Sequence, residues 1–154
     1  MLLSDLAKTS LEAQQAVFQL LKFRFRSEQE IRQRLEKKGF AKNIIADTIN
    51  HFKKIDLIND QQFAESWINS RLRKPYGFAR IRFELKIKGI SEDTIEQEVS
   101  TASVEYKEEE VVLDLAQKRA QKIKDVDPDK LKQRVYAWLL RKGYSPDSVG
   151  KAIK

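Results

Sequence analysis

Three fragments of one design recur along this chain, "KKGF" at 37–40, "IKGI" at 87–90 and "RKGY" at 141–144, each a Lys-Gly pair followed by a large apolar residue. Their glycines, Gly39, Gly89 and Gly143, are 50 and 54 residues apart, and they are three of only five glycines in 154 residues. Setting them in register aligns the flanking sequence as well. Ile31, Leu35, Ile45 and Ile49 fall on Ile81, Leu85, Ile95 and Val99, and then on Val135, Leu139, Val149 and Ile153. A period of about 50 residues with a preserved apolar pattern marks a repeat architecture, in which each unit is expected to bury a face against the next.

Within a unit the apolar residues recur every three or four positions, and nothing alternates long enough to be a strand. The first unit reads as helices over roughly 11–25, 28–38 and 42–54, here called A, B and C. The fold expected is all-α, three tandem three-helix repeats forming an elongated, curved array: an N-terminal extension over 1–13, then repeats over 14–60, 61–108 and 109–154. A glycine at C′ of each B helix permits the left-handed turn of a Schellman cap, which should bring Phe40 to Leu35, Ile90 to Leu85 and Tyr144 to Leu139. Helix starts are signalled by Ser27 with Glu30 as a capping box, by Ser91, by Asp127-Pro128 and by Ser145-Pro146. Asp60 is expected to precede helix A of the second unit as its cap. Ala41 stands where a capping serine should be, so that start is expected to be weaker.

The central B helix is unusual in having two apolar faces. Ile81 and Leu85 lie on the shared core face, whereas Phe83 and Ile87 lie nearly opposite. The positions matching Ile87 are Lys37 and Arg141, which predicts a middle unit covered by its neighbours and polar outer units acting as caps.

The chain carries a formal charge of +7, distributed as +4, 0 and +4 over the three units, with −1 before them. The central zero conceals a separation: residues 71–88 hold seven Arg or Lys beside Glu84 alone, and residues 92–110 hold eight acids beside Lys107. Equivalent basic stretches at 22–38 and 118–134 also span an A/B corner. Three such corners could line one positive surface for an anionic partner, either nucleic acid or an acidic protein face. The lysines at 38, 88 and 142 have a simpler reading, as cations attracted to helix C-termini by the macrodipole.

Catalytic chemistry has little to build on. There is no cysteine and only His51, so thiol nucleophiles, histidine triads and Cys/His metal centres are excluded, and no phosphate-cradling glycine motif is present. The "EYKEEE" run at 105–110 reads as a solvated face or a patch for a basic partner. No cofactor, metal or enzymatic activity is expected. The "MLLSDLAKTS" opening lacks the pattern of a signal peptide and no apolar run reaches membrane length, so the expected location is cytoplasmic, with no membrane partner. The B-turn-C units raise a helix-turn-helix reading, but the C helices begin "KNIIAD", "EDTIEQ" and "PDSVGK", and the acidic second start disfavours approach to a phosphate backbone.

The stretch "DQQFAESWINSRLRKPYGFARIRFELKIKGISEDTI" at 60–95 resembles the central pattern of the RecX family, with Asp60, Phe63, Ala64, Arg71, Gly77, Ile81, Glu84, Leu85, Lys88, Gly89 and Ile90 matching in order. The first unit's "RSEQEIRQRLEKKGF" fits that family's opening as well, with Ile31 where Leu is commoner. The resemblance implies a monomeric regulator of the RecA recombinase filament, lying in the groove of the RecA–DNA filament and restraining its growth, ATPase, strand exchange and coprotease activities, with single- or double-stranded DNA as a further contact. The residues carried forward for partner or DNA binding are Arg71, Arg73, Lys74, Arg80, Arg82 and Lys86 of the central corner, with Arg24, Arg26, Arg32, Lys118, Arg119 and Lys122 as equivalents. The alternative is an independent helical protein that contacts nucleic-acid phosphates.

Overall fold

A computed structural model describes residues 9–154, so most of the expected N-terminal extension lies outside the described residues. Among the described residues there are nine helices and no strand. The first unit contains α1 (Ser10–Leu21), α2 (Glu28–Lys37) and α3 (Lys42–Lys54). The second contains α4 (Asp60–Leu72), α5 (Phe78–Ile87) and α6 (Glu92–Ser103), and the third α7 (Glu108–Lys122), α8 (Pro128–Arg141) and α9 (Pro146–Ile153). Helix α1 stops four residues short of the expected 25, and beyond its end Arg24 bonds the Phe25 carbonyl and the Glu30 carboxylate across the corner.

The repeated apolar positions are the cores. All twelve are buried except Ile153, which is half-buried, and they divide into three separate clusters, one per unit. Every extensively packed helix pair lies within a unit. The units therefore do not bury faces against one another as expected. Phe83 and Ile87 remain 64% and 59% exposed, because neighbouring units meet at helix ends and leave the flank of α5 uncovered. The accessible surface of 10243 Å² exceeds the roughly 8,000 Å² of a compact chain of this mass, as an elongated array requires.

All three Schellman caps form. Gly39, Gly89 and Gly143 adopt φ of 86°, 82° and 97°. The bonds Phe40 N to Leu35 O (3.2 Å), Ile90 N to Leu85 O (3.1 Å) and Tyr144 N to Leu139 O (3.3 Å) close each cap. The capping box at Ser27 and Glu30 is complete, Ser91, Asp127 and Ser145 cap their helices, and Ala41 makes no side-chain cap. Asp60 behaves differently from expectation. Asn59 caps α4, while the Asp60 carboxylate accepts the Glu28 N–H of the preceding unit at 2.9 Å. Glu108, expected in a solvated run, instead accepts from Ser145 N, Ser145 Oγ and Ser148 Oγ at 3.0–3.1 Å and so holds the start of α9.

The units are joined where one B helix begins and the next unit's B helix ends. At the first joint Ser27 Oγ donates to Lys88 O (2.7 Å) and Gln29 Nε2 donates to Ile87 O (3.0 Å). At the second, Gly77 N donates to Lys142 O (2.7 Å) and Ala79 N to Gly143 O (3.0 Å). The terminal carbonyls of one helix are thus satisfied by the start of another, through side chains at the first joint and through backbone N–H groups at the second. Helices α8, α5 and α2 therefore follow one another end to end, a succession here called the column.

Candidate functional site

The central A/B corner is built around a carboxylate. Glu84, its side chain only 16% exposed, lies 3.0 Å from Arg71 Nε and 3.8 Å from Arg80 Nε, and it accepts the Trp67 indole N–H at 3.2 Å. Aromatic faces order the cations further. Arg71 lies over Trp67 (4.7 Å) and Tyr76 (5.1 Å), and Arg80 over Tyr76 (4.3 Å). Lys142 from the third unit lies over both Tyr76 (5.2 Å) and Trp138 (5.6 Å), and Arg119 covers Trp138 (5.0 Å). At the other end Lys88 lies over Trp67 (5.3 Å) and reaches Glu30 of the first unit at 3.3 Å. A chain of alternating cations and rings therefore crosses the second joint and ends at Lys88, whose ammonium crosses the first joint to Glu30.

A second carboxylate centre occupies the first corner. Glu30 gathers Arg24, Arg26 (3.9 Å) and Lys88, and Glu28 pairs with Arg32 (3.1 Å) and Lys53 (2.9 Å). Burial pushes the carboxyls of Glu28 and Glu30 up, but their hydrogen bonds and cationic neighbours outweigh it, and both lie below the usual range. Burial dominates at Asp60, assisted by nearby Glu28, and raises it despite the bond from Glu28 N. Burial, then the neighbouring Arg24, lowers Arg26.

The structure thus brings Arg71 and Arg80 into one cluster, while Arg24, Arg26 and Arg32 belong to the first joint. Arg82 makes a two-point contact with Glu96 (2.8 and 3.2 Å), Lys86 approaches Glu92 (3.7 Å) and Lys118 pairs with Asp114 (2.9 Å). Arg73 bonds the Asn69 carbonyl, and Lys74 and Lys122 are exposed. Trp67, Tyr76, Trp138, Lys88 and Lys142 were absent from the residues selected by sequence. The two lysines sit in the Lys-Gly motif, and the signal in them was the recurrence of a lysine at every joint, which a dipole explanation had absorbed.

Such an arrangement commits Glu84 to cations of its own unit and Glu30 to cations on both sides of the first joint. It offers a long, rigidly held cationic and aromatic surface suited to a macromolecular partner, and no helix among the described residues is long and apolar enough to cross a membrane.

Comparison with known proteins follows the same three-unit division. The first, second and third three-helix domains of RecX match residues 13–52, 59–98 and 107–153. Proteins named regulatory protein RecX are similar in Clostridium botulinum (strain Eklund 17B), at 30% identity over 146 residues, and in Clostridium perfringens (strain 13), at 34% over 132. These alignments take in 94% and 84% of this chain, which spans 68% and 61% of those relatives. The crystal structure of RecX from Lactobacillus salivarius superposes with a TM-score of 0.82 at 24% identity, covering 94% of each chain. With all three domains present in order along most of its length, the chain belongs to the RecX family.

Proposed function

We propose that this protein binds the RecA–DNA filament along its helical groove and inhibits filament growth, ATPase, strand exchange and coprotease activity, without catalysing a reaction itself. The observation that carries the reading is the head-to-tail column of α8, α5 and α2. It makes three similar modules into one extended object, which suits contact with successive subunits of a filament. A binder that touches two subunits at once gains through effective concentration, so modest contacts per module suffice. The test is RecA ATPase and strand exchange on single-stranded DNA with the purified chain added below stoichiometric ratio. Both are expected to fall with added protein, and unchanged rates overturn the proposal.

The net charge of +7, with Lys74 and Lys122 exposed, favours a second reading in which the chain binds nucleic acid independently. That reading requires tight binding to naked DNA with a steep salt dependence. Weak binding to naked DNA beside tight filament binding excludes it.

A further inference from the structure

We propose that the outer flank of α5, centred on Phe83 and Ile87, is the docking surface for an acidic amphipathic segment of a filament subunit. The inference rests on the filament reading above and names the surface and the chemistry it meets.

Phe83 and Ile87 are one helical turn apart and both are more than half exposed. With Leu140 and Arg141 of α8, and Ala79 and Arg80 of α5, they line a groove of about 570 Å³ laid across the joint between the two helices. Single exposed apolar residues are ordinary, but a contiguous apolar groove with a charged rim marks an interaction site.

Comparison of the repeats shows that the fold does not need this pair. The equivalent positions are Gln33 and Lys37 in α2, and Ala137 and Arg141 in α8. All three B helices carry the same buried face and the same cap, so the greasy pair is an addition at the centre of the column.

Charge decides what could cover it. Arg80 and Arg141 stand at the rim, and the one carboxylate lining the groove, Glu84, is held closely by Arg71 and Trp67 and lies 3.8 Å from Arg80, so the cations outnumber it. The corresponding groove on α2 is polar throughout, with Arg26, Arg34 and Lys37 set beside Glu30 and Glu36 and no large apolar side chain in its lining. An apolar centre between cationic ends fits a segment that carries aliphatic or aromatic side chains flanked by carboxylates, laid along the column.

The experiment gives α5 the side chains that α2 already carries, as the double variant Phe83→Gln with Ile87→Lys. Affinity is measured for RecA filaments assembled on single-stranded DNA with a non-hydrolysable ATP analogue, for the same naked DNA, and for self-association by sedimentation. The expected result is a filament affinity about tenfold lower or worse, with an unchanged thermal midpoint and undiminished DNA binding, since the added lysine can only favour phosphate. Arg141→Glu should weaken filament binding while Arg141→Lys preserves it. Wild-type binding that the double variant retains in full overturns this inference alone. Failure of the wild type to bind filaments overturns the filament reading and this inference with it. A parallel loss of naked-DNA binding, or loss of a wild-type dimer, assigns the groove to nucleic acid or to a second copy and likewise overturns it.

Discussion

At the scale of single residues, the glycines do different work. Gly39, Gly89 and Gly143 hold the left-handed φ of a cap, but Gly77, at φ −94°, has a backbone that any residue adopts. Its constraint is space, because a Cβ there would lie 2.4 Å from the carbonyl carbon and oxygen of Gly143. Gly77→Ala is therefore expected to destabilise the chain by about 1–3 kcal/mol, the usual cost of overpacking against atoms that cannot retreat, and to expose the Ala79 amide to hydrogen exchange. Gly150 in α9 is the control. A Cβ there meets nothing within 4 Å, so Gly150→Ala should stabilise by about 0.5–1 kcal/mol through helix propensity. Urea denaturation of the two variants checks both signs.

At the scale of the helix, starts and stops are set by short-range chemistry and could be read from sequence. Ala41 leaves α3 without the side-chain cap that Ser91 and Ser145 supply to its counterparts. Ala41→Ser is expected to add about 1 kcal/mol of stability in thermal or urea unfolding. Ser27→Ala should cost at least as much, since the fully buried Ser27 both caps α2 and donates to Lys88 O. The second half of that role was not legible. Ser27 and Lys88 are 61 residues apart, and a serine before a capping box looks the same whether or not another helix ends above it. Asp60 failed as a sequence-based cap for the same reason, its acceptor oxygen being used by a helix 32 residues away.

At the scale of the whole molecule, the two joints differ in composition. The first depends on side chains, including Ser27, Gln29, Glu30 and Asp60, with Glu28 paired beside it to Arg32 and Lys53 of its own unit, whereas the second depends on backbone-to-backbone bonds and close glycine contact. The folded pKa values of Glu28 and Glu30 lie below their unfolded values. Their contribution is thus fully present above the unfolded glutamate range, near 4.3, and is lost as pH falls through the lower folded values. Asp60 acts in the opposite sense. Raised in the folded state, it favours folding as it becomes protonated. Beside the second joint, the buried hydroxyls of Tyr106 and Tyr144 find no partner of good hydrogen-bond geometry, and burial raises both. Their contribution is present below the ordinary phenol range and is lost only in strong alkali. Hydrogen exchange should therefore show residues 10–54 losing protection before residues 60–153 as pH drops below about 4. Simultaneous loss in all three units would refute this difference between the joints.

The sequence by itself determined the all-helical class, the threefold repeat, the Schellman caps and the B- and C-helix share of each core, since these depend on periodicity and on residues within one or two turns of each other, whereas the helix-A residues of the cores, such as Val17, Phe63 and Val112, were placed only by the fold. Tertiary structure decided how the units meet. An apolar pattern shows that a face must be buried, but not whether the neighbouring unit or its own unit covers it, and here each unit closes its own core. The same limit applied to the charges. Arg71 and Arg80 were visible as a basic corner, but only folding placed them on Glu84 and Tyr76 and left Phe83 and Ile87 uncovered, because whether a charge is paired or a side chain is bare depends on residues far away in the chain.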